Sequence, residues 1–168
     1  MKKSLIIAMC CITVLFAACK KEKPYEKFIG NYNGSALVKG TLSIGSGGTS
    51  LTQDIEQTFP MLISLSAGDA DDKLVLTYTP EDQQETFTAI GTIKDDKVVF
   101  DPIQIEQVIE GSVVNLTLNL NGALAGSIFA LNGTFNGSGN LTISGQPLPI
   151  PFTATGTINA NLNKLVTE

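Results

Sequence analysis

The stretch Val114-Asn115-Leu116-Thr117-Leu118-Asn119-Leu120 changes from apolar to polar at every step. Successive side chains of a β-strand point to opposite faces, so Val114, Leu116, Leu118 and Leu120 share one side and the two asparagines and Thr117 the other. A helix would scatter those leucines around its circumference. The same alternation recurs in both directions. Downstream, Phe152, Ala154, Ile158, Ala160 and Leu162 fall on one face, with Thr153, Thr155, Thr157, Asn159 and Asn161 opposite, which reads as a long closing strand. Upstream, Leu74, Leu76 and Tyr78 alternate, as do Phe87, Ala89 and Ile93.

Turn residues separate these runs. Lys94-Asp95-Asp96-Lys97 and Asn121-Gly122 stand where tight hairpin turns are expected, because Asn, Asp and Gly tolerate positive φ. Gly45-Ser46-Gly47-Gly48 reads as a hairpin tip, since it lacks the lysine and helix of a phosphate loop. The spacing predicts an all-β domain of eight or nine antiparallel strands, either an up-and-down β-barrel or a β-sandwich. Residues 111–163 decide between them: they contain no Asp, Glu, Lys or Arg. Strands without charged gatekeepers invite pairing with other chains at any open edge, so closure into a barrel of about eight strands is the expectation.

The N-terminus has a different character. Lys2 and Lys3 precede an uncharged apolar run that ends in small residues at 17 and 18, the pattern of a secretory signal. The run is shorter than the roughly 20 residues of a membrane-spanning helix. Leu15-Phe16-Ala17-Ala18-Cys19 resembles a lipobox, which implies cleavage before Cys19 and acylation of its thiol. The domain reading is therefore a signal peptide at 1–18, a lipidated tether at 19–27 and a β-barrel at 28–168. Acyl chains contribute about 0.8 kcal/mol per buried methylene, so an acylated Cys19 implies a bacterial cell-envelope protein held at a membrane, taken to be the outer membrane.

Composition removes several classes of function. All three cysteines, Cys10, Cys11 and Cys19, lie at or before the expected cleavage point, leaving no thiol for a disulfide. There is no His and no Arg. Without the signal's Lys2 and Lys3, 9 of the 11 basic residues face 16 acids, a side-chain charge of −7. Nucleic acid needs a concentrated basic face, and four of those nine lysines, Lys20, Lys21, Lys23 and Lys27, belong to the tether.

Phe28-Ile29-Gly30-Asn31-Tyr32-Asn33-Gly34 resembles the opening of lipocalin-like or calycin-like lipoproteins of the Bacteroidetes type, with Gly30-Asn31-Tyr32 similar to the Gly-x-Trp of lipocalins. The resemblance implies a barrel whose interior is either packed solid or holds one small apolar ligand. Tyr32 is expected to plug one end of it.

Candidate chemistry is sparse. Asp69, Asp71 and Asp72 offer oxygens to a cation, but their spacing fits no calcium loop, so a solvated turn is expected and no metal or other cofactor is assigned. Glu81, Asp82, Glu85, Glu106 and Glu110 are the carboxylates available for glycosidic hydrolysis, and nothing in the sequence pairs them. Without His or a thiol after Cys19, the common nucleophile and base pairs are missing, so no catalytic residue is assigned. Five Asn-x-Ser/Thr triplets, at Asn33, Asn115, Asn132, Asn136 and Asn140, are read as turns and polar strand faces. Pro147, Pro149 and Pro151 are read as an extended entry to the last strand.

The leading expectation is a non-catalytic membrane-tethered module that binds a small apolar ligand, with ligand-contacting residues left open. The rival is a lipoprotein that docks on another envelope protein or a surface polymer through its uncharged residues 111–163. A transmembrane barrel ranks last, because aromatic girdles are missing.

Overall fold

A computed structural model describes residues 23–45, 50–80, 86–109, 112–141 and 149–166. Among them are nine strands and no helix: β1 (Gly30–Ile44), β2 (Leu51–Ala67), β3 (Lys73–Tyr78), β4 (Phe87–Lys94), β5 (Lys97–Phe100), β6 (Ile103–Ile109), β7 (Ser112–Ala125), β8 (Ile128–Leu141) and β9 (Ile150–Lys164). All pairings are antiparallel and belong to one sheet. Its order is β5-β4-β3-β2-β1-β9-β8-β7-β6, and a further pairing of β5 with β7 closes eight strands into a ring. The barrel is the architecture adopted; the sandwich is not.

The uncharged residues sit where the edge argument requires. β7 lies between β8 and the β5–β6 side, β8 between β7 and β9, and β9 between β8 and β1. Their outward rows are Asn115, Thr117 and Asn119 on β7, matched across the ladder by Ser138, Asn136 and Thr134 on β8 and by Thr153, Thr155 and Thr157 on β9. The free edges fall elsewhere. β2 pairs with β3 only through residues 63–67, and β6 pairs with β7 alone. These edges carry exposed Asp54, Glu56, Pro60 and Glu106, residues that discourage a further strand from adding.

One connection is as expected and four Asn-Gly turn readings are corrected. Lys94 pairs with Lys97 around Asp95-Asp96, and Asp95 takes φ 58°. Asn121-Gly122 is not a turn: β7 runs through it, and the hairpin closes at Gly126-Ser127, with φ 62° at Gly126. Within the strand, Gly122 leaves room for the Phe129 ring; a Cβ there would sit 2.1 Å from Phe129 Cζ. Asn33-Gly34, Asn132-Gly133 and Asn136-Gly137 are also strand residues, with each asparagine exposed outward, so their reading as turns is corrected in the same way. Of the proline entry, Pro151 is the second residue of β9 and pairs with Asn140; Pro147 lies outside the described residues.

The ring is packed solid at one end only. Phe28, Tyr32 and Phe129 are fully buried there, with Phe28 and Phe129 edge to face at 6.4 Å and Tyr32 tilted on Phe129 at 5.5 Å. Tyr32 donates its hydroxyl to the Phe28 carbonyl at 2.6 Å, which satisfies the one polar atom it takes into the plug. Leu74, Val98 and Leu162 complete this base. Residues 24–28 are turns, bonded through Glu26 N to Lys23 O at 3.0 Å and Phe28 N to Tyr25 O at 2.9 Å. Lys23 pairs with Asp71 at 3.0 Å, and Lys27 with Asp96, so the segment entering the barrel is fastened to loops of the plugged end.

Candidate functional site

The interior beyond the plug is hollow. A cavity of about 490 Å³ is bounded toward the base by Ile63, Leu76, Leu120 and Leu131, all buried. Val38, Leu116, Leu118, Phe135 and Ile158 form one wall from β1, β7, β8 and β9. Ile55, Phe59 and Met61 come from the part of β2 that has no β3 beside it, and Ile103, Ile105 and Gln107 come from β6. Tyr78, Pro80 and Phe87 flank the end of the β3–β4 pair. Of the 18 lining residues, only Tyr78 and Gln107 have polar side chains, and none is charged.

A bulge builds the β6 wall. β5 pairs with β7 as Val99 with Asn121, and β6 as Ile103 with Leu118, so four steps on one side match three on the other. β5 and β6 thus form one interrupted strand along β7, with one extra residue near Asp101-Pro102. The Asp101 amide bonds to the Ile90 carbonyl at 2.8 Å, and β4 pairing goes no further. Even-numbered Val98 and Phe100 point inward before the bulge; odd-numbered Ile103, Ile105 and Gln107 line the interior after it. Without the extra residue the strand would turn its polar Gln104 and Glu106 into the cavity. The same departure from β4 leaves an opening between β6 and the free part of β2, with no strand between them among the described residues.

Phe135 shapes the opposite wall. Its ring crosses the paired Gly40 and Gly156, where a Cβ would meet it at 2.8 and 2.5 Å respectively. Bulky neighbours folded over glycines let closely spaced strands coil around a small interior.

Electrostatics are divided along the barrel. Burial pushes the Tyr32 phenol up to about 12, so it stays a neutral donor in the plug. At the surface, the hydrogen bond to Asp71 raises the Lys23 ammonium above its ordinary value.

The carboxylates singled out in the sequence do not assemble into a site. Asp69, Asp71 and Asp72 are exposed between β2 and β3, with Asp71 engaged by Lys23. Among the described residues no three acidic side chains converge as metal ligands. Glu106 is exposed on β6, whereas Glu81, Asp82, Glu85 and Glu110 lie outside the described residues, as do Cys19, the signal and Ser46–Gly48. The cavity-lining residues of β2 and β6 carry no motif. Alternation of Phe59, Met61, Ile63 and Leu65 was available as a signal, but Gln57 and Pro60 interrupt its surroundings.

No family model and no curated protein matches this chain. Among solved structures it is similar to the ywiB protein from Bacillus subtilis, at 11% identity over 80% of this chain and 94% of that chain, with a TM-score of 0.23.

Proposed function

We propose that this protein is a membrane-anchored cell-envelope lipoprotein that holds a small apolar ligand inside its barrel and performs no catalysis. The cavity carries this reading. A polar solute would lose its water there and find only Tyr78 and Gln107 to replace it, whereas an apolar one gains about 25 cal/mol for each Å² it buries. The volume lies within the range of small-molecule sites, and the opening beside β6 gives access without unfolding the plug.

The test is uptake of a neutral environment-sensitive dye such as N-phenyl-1-naphthylamine by the purified protein, together with native mass spectrometry of protein taken from its own host. Saturable dye binding and a retained apolar adduct are expected. Absence of both refutes the binding reading. The anchor has a separate test: palmitate labelling and membrane fractionation of Cys19→Ala, which should lose the label and enter the soluble fraction. An unlabelled parent chain refutes lipidation.

A second reading, docking on an envelope protein or surface polymer, is supported by the neutral ladder of Asn, Ser and Thr across β7, β8 and β9. Crosslinking in intact cells from Thr134 should then trap one recurrent partner; a spread of unrelated neighbours defeats it.

A further inference from the structure

We infer that the cavity selects uncharged lipids, an aliphatic or isoprenoid chain with a head that bears no negative charge, and rejects carboxylate amphiphiles. This rests on the apolar-ligand reading and specifies its ligand class. None of the 18 lining residues is a cation. An ionised carboxylate drawn inside would therefore be both dehydrated and unpaired, the costliest way to bury a polar group.

Keeping the head at the opening does not rescue it. Lys23, Lys27, Lys73, Lys94, Lys97 and Lys164 belong to the plugged end, at the outset of β1 or at the termini of β3, β4, β5 and β9 that meet there. Lys39 is the remaining lysine among the described residues, and it is exposed on β1 in an ion pair with Glu56 at 2.9 Å. Besides that paired Glu56, the free edges beside the opening present Asp54 and Glu106. An anionic head there meets charges of its own sign and no unpaired cation. At roughly 30 Å³ for each water-sized group, the cavity of about 490 Å³ holds on the order of 16 such groups, the scale of one medium-length chain.

The experiment compares decanol with decanoate as displacers of N-phenyl-1-naphthylamine at pH 7.5. Decanol should bind at least about tenfold more tightly. Lowering the pH to 4.5 should strengthen decanoate toward decanol as its carboxyl group takes up a proton, while decanol stays constant. Gln107→Lys, which places a cation on the lining, should strengthen decanoate several-fold at pH 7.5 and leave decanol unimproved. Equal affinities at pH 7.5, tighter binding of decanoate, or a decanoate affinity indifferent to pH overturns the selectivity while leaving the cavity a binding site. Dye bound but displaced by neither compound also overturns it. A protein that takes up no dye fails at the earlier step, and both readings fall together.

Discussion

Replacing Gly122 by alanine tests whether the plug is built by a glycine that yields space to an aromatic ring. The added Cβ would lie 2.1, 2.7 and 3.0 Å from Phe129 Cζ, Cε2 and Cε1, against about 3.5–4.0 Å for comfortable carbon contacts. Phe129 is fully buried against Phe28 and Tyr32 and has little room to retreat. Overpacking of this kind costs about 1–3 kcal/mol, and the lower unfolded-state entropy of alanine returns about 0.4–1 kcal/mol. The net loss is about 1–2 kcal/mol, a fall in Tm of roughly 2–8 °C. Gly122 does not occupy the positive-φ region, so backbone strain contributes nothing. Urea denaturation of G122A, F129L and the double variant measures the coupling. F129L should recover much of the loss caused by G122A. In contrast, G126A, at φ 62° with no atom within 4 Å of its Cβ, should lose stability through the backbone alone and gain nothing from F129L. A G122A protein as stable as its parent, or strictly additive losses in the double variant, would refute the reasoning.

Two further outcomes are expected. Tyr32→Phe removes the hydroxyl bonded to the Phe28 carbonyl and should cost about 1 kcal/mol at neutral pH. Because the folded phenol titrates at about 12 and an unfolded one at about 10, the folded state holds more protons between those values. The stability tied to that proton is therefore intact below pH 10 and is lost as pH rises toward 12. Thermal melts across this window should fall more steeply for the parent than for Tyr32→Phe, and parallel curves contradict the assignment. Replacing Asp54, Glu56 and Glu106 together by threonine strips the charges from both free edges. Sedimentation velocity should show greater self-association than in the parent, and an unchanged distribution removes the protective role given to these acids.

The closed ring was legible because alternation in β7 and β9 coincided with a long absence of charge. Those strands cannot tolerate open edges, and the fold gives them none. The hairpin at Gly126-Ser127 was not legible from Asn121-Gly122, a stronger local turn signal. Its glycine is required by a ring seven positions away in the chain, and such a tertiary demand leaves no local trace. The cavity was legible only as an alternative to a packed barrel. Its β6 wall depends on one extra residue near Pro102, which reverses which side chains point inward, and strict alternation carried across that point assigns the wrong face to Ile103 and Ile105. Tyr32 was readable as a plug from its place ahead of the first long strand; its partner Phe129 was not, since the two meet only through the joining of distant strands.

The fastening of Lys23 and Lys27 to Asp71 and Asp96 sets a polarity on the molecule. The 15 residues of β1 carry the wall roughly 35–40 Å along the axis from that base. Cys19 stands four residues before Lys23 and reaches at most about 14 Å further. A chain held by Cys19 would therefore stand on the bilayer like a cup on its foot, brim turned away. Under the proposed anchor and binding readings, the plugged base would face the bilayer and a ligand would enter from the end away from it.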